Sequence, residues 1–339
     1  MEKFSGIKIN QNLLDKKNSR LELVFKGKDV NYVIVNSLRR SCLSDIPIYA
    51  FDTIEFGDNS SVFNNDYMRH RIRSIPIKNI ENDVVFFERE ERKTELPVED
   101  ETTENLLLDE NANIAMGSDN ILIEEEIEKA TDDTYDMLNM HVDIENKNDD
   151  VLSVTTDQAK FYKNGEEIKS IYKNPMLLCK LNKNQKISFT AIAKLGIERI
   201  SALFSPVSIF AYTEVKQDEF KVAVESRGQL TEYRILHIAC MNLLKHLEAF
   251  LDSIPRDNKG LNGELDIKNM SHTMGNLIAH GMLRHKDVEF AGYAKPHLLD
   301  ERIVIKFVLK KSNIYNVVAE VVDYFKALFT YLAKEFEKK

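Results

Sequence analysis

The sequence predicts an α+β fold in which two similar units share one chain. Short segments with alternating apolar residues are typical of strands, and longer segments with an apolar residue every three to four positions are typical of amphipathic helices. The order strand, helix, strands, long final helix occurs twice, over residues 20–251 and 264–338. Because each unit has amphipathic helices with one face to bury, we expect the units to pack as an intramolecular pseudo-heterodimer.

The first unit begins with an alternating strand at residues 20–26 (RLELVFK). Asp29 is predicted to cap a helix that ends before Pro47, because the residue preceding a proline disfavours helical geometry. The apolar stripe of this helix comprises Val30, Val33, Ile34, Leu38 and Leu43. A strand over residues 49–56 and a short helix beginning at Asp66 are predicted to follow.

Charge separates the next region from the rest of the chain. Of 55 acidic and 46 basic residues, 24 and 5 lie within residues 81–150, which gives this region a net charge of −19 and the remainder +10. Such acidic blocks favour solvent over packing. Short apolar runs at 83–87, 106–108 and 121–123 are nevertheless typical of strands. We therefore predict a β-rich, partly ordered acidic insert, with a disordered linker as the alternative.

The first unit then resumes with predicted strands at 186–194, 207–215 and 220–225. A helix is predicted to begin at Thr231 and to end before Pro255. Its apolar stripe comprises Ile235, Leu236, Ala239, Leu243, Leu247, Phe250 and Leu251. The segment NKGLNG (258–263) has the composition of a short linker.

The second unit repeats this plan in 75 residues. Ser271 is predicted to cap a helix, strands are predicted at 288–293 and 303–310, and Ser312 is predicted to cap a long final helix. The stripe of the final helix comprises Ile314, Val317, Val318, Val321, Val322, Phe325, Leu328, Phe329, Leu332 and Phe336. This is the clearest helical period in the chain.

These elements divide the 339 residues into four parts. The first unit comprises residues 1–55 and 186–257, the inserted acidic domain 56–185, the linker 258–263 and the second unit 264–339. A chain of this length has room for one large domain or for two to three ordinary domains of about 100–200 residues each.

Several functional classes have no support in the sequence. The phosphate-binding loop, the dinucleotide-binding fingerprint, the zinc-protease helix and the nucleophile elbow are all missing. Cys42, Cys179 and Cys240 lie far apart, which argues against a disulfide framework or a thiolate zinc site. The N-terminus does not resemble a signal peptide, and no run is apolar enough to span a membrane.

Metal binding is a weaker interpretation of the charged side chains. Clustered carboxylates such as those at 124–128 (EEEIE) could hold a divalent cation, but adjacent glutamates point in different directions and are more typical of a solvated surface. The second unit contains four histidines, His272, His280, His285 and His297. Those on the predicted helix do not share one face, so we expect neither a metal nor another cofactor.

Two basic motifs point to a binding surface. These are Arg39-Arg40 and the run RHRIR at 69–73. Arginine forks suit carboxylates and phosphates. Because no aromatic residues are interleaved and the chain is net acidic, a protein partner is favoured over nucleic acid. The alternative is that these arginines pair with acids of the same chain.

The sequence NSLRR (36–40), continued by residues 41–55 and by VFNNDYMRHRIRSIPI (62–77), resembles the signature of the alpha-like subunits of cellular RNA polymerases. These are the third eukaryotic subunit and its counterparts, archaeal D and bacterial alpha. Residues 168–197 are similar to a further stretch of that family. Residues 271–277 (SHTMGNL) and 287–298 resemble its partner, the eleventh eukaryotic subunit or archaeal L. The chain therefore resembles a fusion of both subunits, an arrangement known in large DNA viruses.

The resemblance implies a non-catalytic assembly platform for a DNA-directed RNA polymerase. Its partners would be the largest and second-largest subunits and small polymerase subunits, with DNA contacted only through the complex and no membrane contact. Many relatives carry a metal module in the inserted domain, but residues 81–150 contain no cysteine, so none is expected here. The location would be intracellular: virion and host cytoplasm if viral, nucleus if eukaryotic.

The resemblance also assigns candidate residues, none of them catalytic. Those expected to contact a large subunit are Asn36, Ser37, Leu38, Arg39, Arg40, Arg69, His70, Arg71, Arg73 and Pro76. Those expected at the intramolecular dimer interface are Leu236, Leu243, Leu247, Gly275, Asn276, Leu277, Val318, Val322, Phe325 and Phe329. Gly275 is expected to permit close helix approach rather than chemistry.

Two alternatives from other classes stay open at this point. One is a metal-dependent nucleic-acid enzyme that uses the acidic clusters. The other is a stand-alone acidic binding module that mimics nucleic acid and would bind a basic partner.

Overall fold

The computed structural model describes residues 7–338 except 16–18, 79–137, 164, 256–259, 269, 298–301 and 312. Within that part of the chain it contains two α+β units and a third, β-rich module. The three apolar runs predicted between residues 83 and 123 lie outside the described residues, as does Ser312.

The first unit is an antiparallel sheet with two helices packed on one face. The strands are β1 (Lys8–Asp15), β2 (Arg20–Lys26), β10 (Val207–Lys216) and β11 (Glu219–Ser226), in the order β1-β2-β11-β10. The helices are α1 (Tyr32–Ser44) and α3 (Glu232–Asp252). Strand β11 alternates buried and exposed residues, so its apolar face is directed at the helices.

The second unit has the same topology without the extra edge strand. Its strands are β12 (Asn262–Lys268), β13 (Val288–Ala294) and β14 (Arg302–Leu309), in the order β12-β14-β13. Its helices are α4 (His272–Leu283) and α5 (Ile314–Glu337). Strand β12 corresponds to β2, β13 to β10 and β14 to β11, which confirms the duplicated plan.

The two units share one hydrophobic core, because their buried residues form a single cluster. Each helix packs against its counterpart: α1 against α4, and α3 against α5. Polar contacts also join the units. The Tyr324 hydroxyl donates to the Asp29 carboxylate at 2.8 Å, and His237 Nδ1 lies 3.0 Å from the carbonyl oxygen of Ala333. Pairing of like helices confirms the predicted pseudo-heterodimer.

The inserted module has its own buried cluster. Its five-stranded sheet has the order β3-β9-β4-β6-β7, with a two-stranded sheet β5-β8 beside it. The elements are β3 (Ile48–Asn59), α2 (Asn65–Arg73), β4 (Leu138–Glu145), β5 (Leu152–Thr155), β6 (Lys160–Lys163), β7 (Glu166–Ile168), β8 (Leu177–Leu181) and β9 (Lys186–Gly196). The described part of the insert is thus β-rich.

Strands β3 and β9 link the module to the first unit. They pair with each other along most of their length, and Phe51 and Phe189 are buried in the cluster of the module. This packing favours limits for the module near residues 48 and 196. The bounds predicted from the sequence, 56 and 185, stay a prediction.

The helix starts differ from the predicted ones in three of five cases. Asn31, not Asp29, caps α1, where its Oδ1 accepts hydrogen bonds from the amides of Val33 at 3.0 Å and Ile34 at 3.1 Å. Asn64 caps α2, which places Asp66 in the first turn. Asn313, next to the predicted Ser312, caps α5.

The other two caps lie at the predicted residues. The Thr231 hydroxyl accepts a hydrogen bond from the Arg234 amide at 3.3 Å. Ser271 occupies the cap position of α4, although its side chain makes no capping hydrogen bond. Asn262 and Gly263, the last two residues of the predicted linker, belong to strand β12.

Buried cysteine thiols and a buried tyrosine hydroxyl predict that the fold loses stability at alkaline pH. Burial raises the pKa of the thiols of Cys42 and Cys240 well above its ordinary value and that of Cys179 to about 11. Burial, assisted by Asp29, also raises the pKa of Tyr324. These groups contribute full stability below their unfolded pKa values, about 8.5 for Cys and about 10 for Tyr, and lose it as the pH rises towards the folded values.

The urea concentration at the midpoint of unfolding should therefore decrease as the pH is raised from about 8 to about 11, because these groups ionise in the unfolded chain in that range. A Cys42→Ala/Cys240→Ala variant should show a flatter decline, since two of the titrating groups are gone. An unchanged midpoint across this pH range in the unaltered chain would contradict the prediction.

Candidate subunit-binding surfaces

The outward face of α1 carries only part of the predicted contact motif. Tyr32, Asn36, Arg39 and Arg40 reach solvent at helical spacing, whereas Ser37 and Leu38 are buried. Leu38 belongs to the shared core. Neither the Ser37 nor the Leu38 side chain reaches solvent in this fold, and a large-subunit contact at these two residues stays a prediction.

The accessible part of α1 is basic. The helix contains no acidic residue. Arg39 Nε donates to Asn36 Oδ1 at 3.0 Å, a contact that orients the guanidinium along the helix surface. Arg40 is exposed and forms no ion pair within the described residues. Because neither arginine is paired with a carboxylate within the described residues, both can bind an external one.

The arginines of α2 are engaged within the inserted module. Arg69 pairs with Asp66 at 2.6 Å and lies 5.7 Å from the centre of the Phe56 ring. Arg73 donates to both the carbonyl and the carboxylate of Asp52, with its Nη2 3.0 Å from Oδ1. For these two residues the alternative of pairing within the chain is correct.

The rest of the predicted α2 motif is only partly accessible. Arg71 Nη2 donates to the Leu177 carbonyl at 2.9 Å, while its buried Nε has no partner. His70 is exposed and Pro76 is half-buried. A large-subunit contact at His70, Arg71 or Pro76 stays a prediction.

An apolar surface next to α2 was missed from the sequence. We call residues 60–67, which comprise the turn before α2 and the first three residues of that helix, the aromatic loop. The rings of Phe63 and Tyr67 stack with centroids 4.4 Å apart, and Val62 is 71% exposed. The Asn59 amide fixes the loop by donating to the carbonyl of Phe63 at 2.9 Å and to Asn65 at 2.8 Å. Because neighbouring exposed apolar side chains are typical of interaction surfaces, we treat the aromatic loop as a candidate binding surface.

Most of the predicted dimer-interface residues are buried in the core that the two units share. They lie on α3, α4 and α5, and their place at the intramolecular interface stays a prediction. These residues are Leu236, Leu243, Leu247, Leu277, Val318, Val322, Phe325 and Phe329. Asn276 is different, because it is half-buried on the outward side of α4.

Gly275 lies where its helix comes close to a neighbouring element, and that element is a sheet. A Cβ at Gly275 would lie 2.7 Å from Tyr293 Cδ2 and 3.1 Å from Ile303 Cδ1, so this glycine lets α4 approach the sheet of its own unit. Helix approach depends instead on Gly281, where a Cβ would lie 2.5 Å from Val321 Cγ1 of α5.

Metal chemistry has no support in the described part of the chain. No group of three or more His, Cys, Asp and Glu side chains there could hold a metal ion. His285 Nε2 lies 3.0 Å from Glu320, and its Nδ1 accepts a hydrogen bond from the Asp287 amide, so this histidine connects the turn after α4 to α5. The acidic run 124–128 lies outside the described residues.

The described helices do not provide a membrane span either. Among the helices within the described ranges, none combines the length and the apolar character needed to cross a bilayer.

Comparison with known families identifies both units. Residues 24–247 match the family described as the RNA polymerase Rpb3/Rpb11 dimerisation domain, and residues 262–335 match a second family of the same description. The two matches correspond to the first unit with its insert and to the second unit.

Individual relatives agree with these matches. A protein of Acanthamoeba polyphaga mimivirus, provisionally named a DNA-directed RNA polymerase subunit, is 25% identical over 96% of this chain and 92% of its own length. Subunit RPAC1 of RNA polymerases I and III from Saccharomyces cerevisiae is 25% identical over 64% of this chain and 60% of its own. RNA polymerase subunit Rpo11 of Saccharolobus solfataricus is 43% identical over 14% of this chain and 53% of its own length. The chain thus spans nearly all of the mimivirus relative and under two thirds of the other two.

Proposed function

The chain belongs to the family of RNA polymerase Rpb3/Rpb11 dimerisation domains, and from this premise we propose that it is the platform on which a multisubunit DNA-directed RNA polymerase assembles. It is a non-catalytic assembly subunit of that enzyme. We propose that it binds the largest and second-largest subunits together with small polymerase subunits.

The observation that carries this proposal is the shared core of the two family units. In this chain α1 packs on α4 and α3 on α5 within one polypeptide. A covalent connection raises the effective concentration of the two units, so that the pair forms without an encounter between separate chains. A preformed pair is what a scaffold for larger subunits requires.

The same proposal assigns nucleotide transfer and direct DNA contact to other subunits of the complex. Nucleotide transfer would take place on the large subunits, and DNA would reach this chain only through the complex. We place the complex inside the cell, in virion and host cytoplasm for a viral enzyme or in the nucleus for a eukaryotic one.

Co-expression with the two large subunits of the same polymerase tests the proposal. A tagged form of the full chain should retain both subunits through size-exclusion chromatography in a stable complex. Recovery of the folded chain without either large subunit would contradict the platform role.

The aromatic loop gives a sharper prediction about the binding surface. Val62→Asp places a charge on the most exposed apolar residue of the loop and should weaken association with the large subunits about tenfold, because burying an unpaired carboxylate in an interface is costly. Because Val62 is solvent-exposed, the free energy of unfolding should change by less than about 0.5 kcal/mol. Biolayer interferometry with the immobilised chain measures the affinity.

Val151→Asp is the matched control for this variant. Val151 lies in the same module and is 58% exposed, but it is not part of the aromatic loop. It should bind the large subunits as the unaltered chain does. Equal affinities for the Val62 and Val151 variants would exclude the aromatic loop from the interface.

A further inference from the structure

We propose that the free edge of strand β12 accepts an extended segment of another polypeptide as an additional antiparallel strand. In this segment apolar residues alternate with basic ones. The edge belongs to the sheet of the second unit, and its occupation does not depend on the platform role of the chain.

The first unit shows how such an edge is occupied. Strands β2 and β12 hold corresponding places in the two sheets, beside β11 and β14. In the first unit, β1 pairs with the outer side of β2 as an antiparallel strand, from Lys8 opposite Lys26 to Asp15 opposite Arg20. Within the described residues of the second unit, β12 pairs with β14 alone. The same position is thus filled in one unit and open in the other.

The helix beside each of these edges carries a tyrosine at the same place. Tyr233 is the second residue of α3, and its hydroxyl donates to Gln11 Oε1 of β1 at 2.7 Å. With this contact in place, Tyr233 is only 8% exposed. Tyr315 is the second residue of α5 and is half-buried. We expect an added strand beside β12 to cover Tyr315 as β1 covers Tyr233.

The backbone of β12 directs hydrogen-bonding groups at the free edge. The Leu309 amide donates to the Leu261 carbonyl at 2.7 Å, in register with the pairing of β12 and β14, so these two residues form a hydrogen-bonded pair of the ladder. Along an antiparallel ladder such pairs alternate with pairs whose amides and carbonyls point to the opposite side. The backbone groups of Glu264 and Asp266 therefore point away from β14 and can pair with an added strand.

The ladder of β12 is also more regular than those of the other outer strands. Strands β1, β10 and β13 each contain a register shift. Such bulges twist an edge and hinder further pairing. Strand β12 pairs with β14 over all 7 of its residues without a shift, and it contains no proline. A regular edge of this kind is a template for another strand.

Charges on the outer face of the sheet define one side of the partner. Glu264 pairs with Lys306 and Asp266 with Arg302, each at 2.8 Å, and both acidic side chains stay more than half exposed. Opposite charges directly across two strands stabilise their pairing, and like charges destabilise it. The residues of the added strand opposite Glu264 and Asp266 should therefore be Lys or Arg.

The other side of the added strand faces α5 and should be apolar. In the first unit, Ile9 and Leu14 of β1 pack against the shared core. An acidic segment, such as those within residues 81–150, would place like charges opposite Glu264 and fits less well. A second copy of β12 has the same acidic outer face and is disfavoured for the same reason.

A synthetic strand tests this site on the full chain. The probe is a fluorescent, end-blocked peptide of about eight residues in which lysine and isoleucine alternate. It should bind at least about tenfold more tightly than a peptide of the same composition whose lysines and isoleucines form two blocks, because only the alternating peptide has one apolar and one basic face. A peptide of alternating glutamate and isoleucine should also bind more weakly. Fluorescence anisotropy measures the three affinities.

Asp266→Pro and its matched control Asp266→Ala distinguish strand addition from a contact between side chains. Both variants remove the same carboxylate, but only proline removes the amide that points to the free edge. Because proline is tolerated on an edge strand where its nitrogen faces solvent, β12 should keep its pairing with β14. Asp266→Pro should bind the alternating peptide at least about tenfold more weakly than Asp266→Ala. Circular dichroism checks that both variants are folded.

Amide hydrogen exchange provides a second readout, on the unaltered chain. With the alternating peptide bound, exchange of the Glu264 and Asp266 amides should slow at least about tenfold, because these amides become hydrogen-bonded. The amides of β13, at the other edge of the same sheet, should exchange as before.

Two results would overturn the strand addition. One is equal binding of the alternating and the block peptides, and the other is unchanged exchange at Glu264 and Asp266 when the peptide is bound. A dimer of the unaltered chain that Asp266→Pro abolishes would overturn the choice of partner and assign the edge to a second copy. None of these results bears on the platform role, which co-expression with the large subunits tests separately.

Discussion

Replacing Phe329 with Ala is expected to lower the free energy of unfolding by about 3–5 kcal/mol. Phe329 is 0% exposed on α5 and stacks with Phe325 at a centroid distance of 6.5 Å. Removing the ring leaves a cavity that the surrounding helices can only partly close. Urea denaturation followed by circular dichroism measures the loss.

The second expectation for this variant concerns where stability is lost. Because both units contribute to one core, the cavity should weaken α1 and α3 as well as α4 and α5. Hydrogen exchange should therefore become faster in the core helices of both units. Exchange that becomes faster only in α4 and α5 would show that the units are stable independently and would contradict the shared core.

Phe189→Ala provides the control. Phe189 is 1% exposed and belongs to the separate cluster of the inserted module. A similar loss of side-chain volume should here accelerate exchange in β3, β4 and β9 and leave α3 and α5 protected. Comparison of the two variants separates the cost of a missing ring from the coupling between units.

The strength of the sequence pattern decided how well each element could be predicted. Every residue of the predicted stripe on α5 is buried, because a long helix with a regular period has one orientation that buries it. The start of α1 was harder. Asn and Asp are equally good caps, and the sequence offers Asp29 and Asn31 two residues apart. The choice depends on Tyr324, far along the chain, which engages Asp29.

The surfaces were predicted less completely for a related reason. The motif NSLRR identifies a segment, but a binding surface consists only of the residues that the fold leaves outside. The helical phase already placed Leu38 on the apolar stripe, so its burial could have been predicted. The partners of Arg71 and Arg73, by contrast, come from strands that only the folded module brings near.

The packing of α4 against α5 gives the second large expected effect. Gly281→Ala should destabilise the chain by about 1–3 kcal/mol through overpacking. In an ordinary helix interior the same change stabilises by about 0.5–1 kcal/mol, because glycine has the larger conformational entropy when unfolded. At Gly281 the added methyl carbon would lie 2.5 Å from Val321 Cγ1 and 2.6 Å from Phe325 Cε2. Whether Gly281→Ala stabilises or destabilises the chain therefore shows how closely α4 and α5 approach each other.

A double-mutant cycle with Val321→Ala identifies the cause of that loss. Val321→Ala alone should destabilise, because Val321 is buried in the shared core. It also removes the methyl group that the new side chain would strike. The double variant should then be more stable than the sum of the single effects predicts, with a coupling energy on the order of 1 kcal/mol. Additive losses, or a stabilising Gly281→Ala, would mean that α4 and α5 have room to separate without cost.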